Sequence, residues 1–233
     1  ILTADQTSVT FHITIHGMLV KDTVVEATTY HVLTFPEEGT MSEVGLPQLP
    51  QVTRLIGFAP DAAVSAEIAY LDELVLANYN VFPAQHPATG PGQRSPFSLD
   101  DSTYDTNAWF PDSIPTASAA ELGVWRDLGT AVTVIRPLLF NPVLGQLRVY
   151  TSATATYSLA GGGPLPVAVL PEYRRAYADA LFNFNYLGVG EFNATEPDKF
   201  FFLIGEGGPG PITAAIWPLR VWKAMRGFKV ESV

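Results

Sequence analysis

The sequence predicts a mainly β protein: an all-β body over residues 1–160, a helical connector over 161–198, and the first strand and helix of an α/β unit over 199–233. Three observations carry this. Apolar and polar residues alternate with period two along the first 160 residues, as in half-buried strands. Nineteen glycines and nineteen prolines among 233 residues mark frequent turns. After Ala160-Gly161-Gly162-Gly163-Pro164 the pattern changes to helical spacing and a continuous apolar run.

Residues 7–16 put Val9, Phe11, Ile13 and Ile15 on one face and Thr10, His12, Thr14 and His16 on the other, so they read as a strand. Residues 23–35 read as another strand or a pair, ended by a turn at Glu37-Glu38-Gly39. Pro47 and Pro50 cannot donate to a ladder, which confines 44–50 to an edge or an extended segment. A strand follows from Val52. In 63–76, Val64, Ala66, Ile68 and Tyr70 form an inward face; Val, Ile and Tyr favour strand over the competing helix. Residues 83–118 form the longest irregular stretch, dense in Pro, Gly, Ser and Asp; a loop of this length is usually functional or mobile. Strands resume over 121–158, with a corner at Asn141–Gly145. In the connector, Pro171 opens a helix on which Tyr173, Tyr177, Ala180 and Leu181 share a face. Residues 199–207 read as a buried parallel strand, about 212–226 as a helix with Gly227 as its C-cap, and Phe228–Val230 as the next strand.

The net charge is −10. Residues 1–160 hold sixteen Asp and Glu against six Lys and Arg, whereas 161–233 hold seven of each. An acidic body repels phosphate backbones, which excludes nucleic acid as a partner and favours cations or a basic protein surface. The absence of cysteine excludes disulfides, zinc–thiolate sites and a thiol nucleophile in this chain. No apolar run reaches the length of a membrane-spanning helix. The chain begins at Ile1 without a basic-plus-apolar leader, as expected of a processed or trimmed product.

Several stretches, in this order and spacing, resemble one family. They are VGLPQLP (44–50), FAPDAAV (58–64), VFPAQHP (81–87), IRPLLFNPVLGQLRVYTSATATYSL (135–159) and YADALFNFNYL (177–187). Together they resemble the N-terminal propeptide of gingipain-like (family C25) cysteine peptidases. Residues 199–230, with Trp222, Lys223, Gly227, Phe228 and Val230, resemble the start of that family's catalytic domain. The resemblance implies a β-sandwich prodomain over 1–160 and the beginning of a caspase-like α/β domain from 199. It implies secretion to an extracellular or cell-surface location in a bacterium or archaeon. It also implies a cognate peptidase catalytic domain, in cis or in trans, as partner. The chain departs from the family at its chemistry: it has no cysteine, and its four histidines (His12, His16, His31, His86) all lie in the prodomain. No catalytic residue is therefore assigned, because a thiolate–imidazole pair needs both members within reach.

The resemblance implies an inhibitory loop in the peptidase cleft. Arg94, in the middle of the long loop and the only Lys or Arg between Arg54 and Arg126, is the candidate for the specificity pocket; a solvated loop arginine is the competing reading. Arg126 is the second candidate, and its expected place is with its stem on Trp125 and its charge on Asp127. Asp100, Asp101 and Asp105, joined by Asp112, could supply oxygen ligands to calcium, although their spacing departs from an EF-hand loop and a solvated acidic loop competes. No other cofactor is expected. His12 and His16 lie too far apart on a strand to hold a metal. Gly205–Gly210 superficially resembles a phosphate loop but lacks the required lysine and glycine spacing. Asn193-Ala194-Thr195 is a glycosylation sequon. Phe182, Phe184, Tyr186 and Phe192 are expected to form a packing seam beside the connector.

The functional expectation is a propeptide that assists folding, covers the cleft of a cysteine endopeptidase and is removed by cleavage within 160–199. The rival is a non-catalytic extracellular β-sandwich for adhesion or self-assembly, pairing through edge strands and the 44–50 segment. A carbohydrate-binding sandwich is a third possibility.

Overall fold

A computed structural model of the chain describes residues 1–88, 90, 95–115, 119–192, 199–202, 217–226 and 229–232. The chain divides into two compact units, Ile1–Gly190 and Glu191–Val233.

The first unit is built on two antiparallel sheets. One contains β1 (Thr3–Ala4), β2 (Ser8–Thr14), β7 (Ala63–Ala77), β10 (Leu138–Asn141) and β11 (Gln146–Ala160). β11 is its spine: β7 pairs along one edge, and β2 and β10 follow each other along the opposite edge. The other sheet has the order β5 (Gly39–Thr40), β6 (Pro50–Phe58), β9 (Leu128–Ile135), β8 (Ala119–Trp125). The two sheets enclose one core in which Val9, Phe11, Ile68, Ala155 and Tyr157 of the first meet Val52, Ile56, Phe58, Ala131 and Ile135 of the second. This sandwich follows from the alternation read in the sequence, since strands with one apolar face bury it only by facing another sheet.

β3 (Leu19–Val25) and β4 (Thr28–Thr34) form a separate hairpin. Its two turn residues, Glu26 and Ala27, both have positive φ, the geometry that suits a two-residue hairpin loop. The corner before β11 is closed by side chain and glycine together. The Asn141 carboxamide oxygen accepts the Leu144 N–H at 3.1 Å, and Gly145 takes φ +60° so that its N–H reaches the Pro142 carbonyl.

The connector helix, α2 (Pro171–Ala180), begins with Pro171 in its first turn, as expected. It packs on the second sheet rather than standing off it. Tyr177, Leu181, Phe184, Leu187 and Val189 join Leu128 and Val169 in a second buried cluster. The predicted aromatic seam is only half present. Phe184 is buried and Phe182 meets Phe11 edge-on at 5.2 Å, but Tyr186 and Phe192 are exposed.

In the second unit, β12 (Lys199–Phe202) and β13 (Lys229–Ser232) pair in parallel, with the helix α3 (Trp217–Met225) between them in sequence. This is the strand–helix–strand opening of an α/β unit. Gly205–Gly210, Asn193, Gly227 and Phe228 lie outside the described residues.

Candidate functional site

The longest irregular segment is anchored at its base by backbone bonds to the 44–49 stretch. Gly45 N–H donates to the Ala84 carbonyl, Ala84 N–H to Leu46, Gln48 N–H to Phe82 and Asp100 N–H to Gly45. Gly45 holds φ +85°, and a Cβ there would meet the Asp100 nitrogen at 3.2 Å. Gly45, in the VGLPQLP stretch, is thus the point where the chain at Ala84 and at Asp100 comes together.

From this base the segment leaves and returns through one side chain. The Gln85 carboxamide nitrogen donates to the Ser98 carbonyl at 2.8 Å and to the Pro83 carbonyl at 2.9 Å, while its oxygen accepts the Ser98 N–H at 2.9 Å. This pairing closes a loop over 86–97. Inside it the Ser95 hydroxyl donates to the Pro87 carbonyl at 3.3 Å. Phe97 anchors the return strand against Tyr30 and Phe82, with ring centroids 5.7 and 6.0 Å away. His86, Pro87 and Ala88 are exposed where the loop departs. Arg94 belongs to this loop in sequence and lies outside the described residues.

Beyond Ser98 the segment contains structure that its composition did not reveal. Asp100 caps a single helical turn, α1 (Asp101–Tyr104), its carboxylate accepting the Thr103 N–H at 2.9 Å and the Ser102 hydroxyl. The Ser102 hydroxyl, and after it the Thr103 N–H, hold the Asp100 carboxyl below the usual aspartate value. Burial pushes the Tyr104 phenol far above its ordinary value, and its O–H donates to the Val81 carbonyl at 2.8 Å. Phe110 then bridges Phe140 of β10, and Arg148 lies over the Trp109 ring at 4.4 Å.

The aspartates read as calcium ligands are thus placed differently from one another. Asp100 serves as the cap, while Asp101, Asp105 and Asp112 are exposed. Among the described residues no three His or acidic side chains gather as a metal site. His12 is bonded on its sheet face, to Thr154 at 3.1 Å and Ser152 at 3.3 Å.

Arg126 departs from the expected arrangement on Trp125 and Asp127. It occupies the β8–β9 turn with φ +59°, and its guanidinium lies 3.6 Å over the ring of Tyr173 in α2. Trp125 instead packs edge-on against Tyr177 at 4.9 Å. The helix that approaches this turn supplies a better cation–π partner than the neighbouring ring.

A groove of about 590 Å³ opens elsewhere, between β2 and β6. Ile13, Ile15, Met18, Phe35 and Val52 line it. The Arg54–Glu38 ion pair in its wall is closed at 2.7 and 3.0 Å, which leaves neither charge free for a ligand.

Residues 1–164 match the family model Propeptide_C25. Gingipain R2 of Porphyromonas gingivalis (strain ATCC 33277) is 24% identical over 209 residues, covering 86% of this chain and 27% of that protein. Gingipain R1 of Porphyromonas gingivalis is 27% identical over 129 residues, covering 54% of this chain and 13% of that protein. The chain therefore spans about a quarter or less of the length of these relatives. A chain of the complex of Porphyromonas gingivalis RgpB pro- and mature domains superposes with TM-score 0.67 at 21% identity, covering 79% of this chain and 95% of that one. A structure described as an insight into zymogenic latency of gingipain K from Porphyromonas gingivalis superposes with TM-score 0.58 at 19% identity, covering 67% and 88%.

Proposed function

Because this chain belongs to the Propeptide_C25 family, the propeptides of gingipain-like cysteine peptidases, we propose that it keeps such an endopeptidase latent until it is cut away. The observation that carries the reading is the 86–97 loop, which leaves and re-enters the sandwich through a closed base and contains Arg94. A loop held in this way fills a cleft at low entropic cost, and an arginine within it fits a pocket that accepts basic residues. The sandwich behind the loop supplies the bulk that keeps substrate out. With no cysteine among its 233 residues, the chain supplies no thiolate, so the chemistry belongs to the partner catalytic domain.

The acidic balance of residues 1–160 adds long-range attraction toward a cleft built for cationic substrates. Folding, blocking and release are expected in a secreted bacterial setting, with removal by cleavage between the two compact units. The test adds the purified 233-residue chain to a gingipain-type peptidase and follows hydrolysis of an arginyl fluorogenic peptide. Competitive inhibition at micromolar concentration or below is expected, with Arg94→Ala weakening it about tenfold or more. Full activity at about 10 µM chain would overturn the reading.

A further inference from the structure

We propose that the open edge of β2 at His12–Thr14, with the apolar groove beside it, is a docking site for an extended segment of a partner protein. The segment adds a strand along this edge and seats alternate apolar side chains in the groove. This site goes beyond the inhibitory reading and stands without it.

The edge follows from the ladder. Ile15 N–H donates to the Thr151 carbonyl at 2.8 Å, so Phe11 and Ile13, which share its parity, also turn their main-chain groups toward β11. Thr10 points the other way, where its carbonyl accepts the Leu2 N–H at 2.9 Å. His12 and Thr14 share the parity of Thr10 but lie beyond the reach of β1. Their N–H and C=O groups face an edge with no strand beside it among the described residues. Ile13 and Ile15 turn their side chains into the groove, so a residue paired beside Ile13 would send its own side chain there. An edge that supplies main-chain bonds next to apolar pockets is what strand addition requires.

The chain itself shows how such a side chain is received. One step along the gap between β2 and β6, Phe182 of the connector meets Phe11 edge-on at 5.2 Å and lies 5.9 Å from the Arg54 guanidinium. Its N–H donates to the Leu55 carbonyl at 2.8 Å. The groove continues this gap at the level of Ile13, Ile15 and Val52, where about 590 Å³ is open.

Charge and sterics choose the occupant. Arg54 and Glu38 in the wall neutralise each other, and no Asp or Glu occurs from Thr7 to Val20 in an otherwise acidic body. His12 and His16 flank the groove, so the segment that fits is apolar with neutral or acidic ends. A second copy of this chain does not fit. Because β1 lies on the same edge, pairing two β2 strands about a two-fold axis would drive the Leu2 segment of each copy into the strand of the other.

The experiment titrates the 233-residue chain with a blocked heptapeptide that has phenylalanine and valine two apart between threonines and a glutamate at each end. Binding with Kd at or below about 100 µM is expected, with amide exchange at Thr14 slowed about fivefold or more. A control peptide with phenylalanine and valine adjacent, and one ended by lysines, should each bind about fivefold or more weakly. Thr14→Pro removes a donor that faces away from β11, and Met18→Glu places a charge in the groove; each should weaken binding about fivefold or more, with urea unfolding as the check on the fold. The exchange measurement on the unaltered chain decides the matter if either variant fails to fold. No binding at about 1 mM peptide, or protection elsewhere than His12–Thr14, would overturn the site. Protection of Thr14 that grows with chain concentration in the absence of peptide would overturn the choice of partner in favour of a second copy.

Discussion

Asn183 pairs with Gly57 through both atoms of its carboxamide: its oxygen accepts the Gly57 N–H and its nitrogen donates to the Gly57 carbonyl, each at 2.8 Å. The side chain is fully buried, and Phe182 N–H adds a bond to the Leu55 carbonyl. The connector thereby closes the edge of β6 beyond β5, which an exposed strand would leave open to pairing with other chains. Gly57 permits this because a Cβ there would lie 2.8 Å from Leu181. Asn183→Ala is expected to cost about 2–4 kcal/mol, since it leaves two buried backbone groups unpaired. Asn183→Asp should be worse near neutral pH, because a buried carboxylate can accept but not donate. Its folded pKa would be raised above the unfolded value, so the penalty should shrink as pH falls through the folded pKa. Urea midpoints of the two variants between pH 4 and 7 check both statements; a loss below about 0.5 kcal/mol for alanine would refute the pairing as a stabilising contact.

The Arg126–Tyr173 stack separates the two candidate arginines. A guanidinium 3.6 Å from a ring on the connector helix is already engaged. Arg126→Ala is expected to leave inhibition of a gingipain-type peptidase within about twofold while costing about 0.5–1 kcal/mol of stability, the value of an exposed cation–π contact. Arg94→Ala should do the reverse. Inhibition constants and urea midpoints measured on the same preparations distinguish them, and loss of inhibition on Arg126→Ala would move the inhibitory contact to the β8–β9 turn.

Asp100 ties acid stability to the base of the loop. Its carboxyl is held below the ordinary aspartate pKa by the Ser102 hydroxyl and the Thr103 N–H. A group with a depressed folded pKa contributes stability that is present above its unfolded pKa, near 3.8, and lost as pH falls through the folded value. The cap should therefore weaken only below about pH 4. Asn caps a helix without titrating, so Asp100→Asn should flatten the pH dependence of α1 in that range. Amide exchange or NMR shifts of Thr103 between pH 2 and 5 report this, and identical profiles for the two proteins would count against it.

The sandwich was legible because its strands obey period two over long runs, as Val9–Phe11 and Val64–Tyr70 show, and burial selects one face. The α2 helix was legible for a similar reason, with Pro171 at its start. The loop base was not. Gln85 and Ser98 are thirteen residues apart, and neither residue type signals a pairing that depends on where both backbones have been carried. The α1 turn is too short to show a helical period, and Asp100 reads equally as cap, solvated acid or ligand until its neighbours are placed. The sequence places Arg126 beside its neighbour Trp125, whereas the ring that covers it, Tyr173, is brought by a helix forty-seven residues away. Local patterns report which face is buried; long-range polar contacts follow from the fold and leave no periodic trace.

The placement of the connector predicts where a stable fragment ends. A chain cut at the glycine run, after residue 160, would lose Val169, Tyr177, Leu181, Phe184, Leu187 and Val189, and would bare Leu128, which is fully buried. It would also release the Gly57 backbone from Asn183 and the Trp125 carbonyl from the Tyr177 hydroxyl. Burying each such side chain is worth about 1.5–3 kcal/mol before the entropy of ordering the segment is subtracted. Even a fraction of that sum is large against the roughly 5–15 kcal/mol that holds a domain folded. A fragment of residues 1–190 should therefore unfold cooperatively with a midpoint near that of the same unit in the full chain. A fragment of residues 1–160 should be much less stable and should expose the β6 edge and its apolar flank to aggregation. Thermal unfolding followed by circular dichroism, with light scattering recorded alongside, compares the two. Equal midpoints would mean that residues 161–190 are a passive tether, and would return the boundary of the folded propeptide to the glycine run.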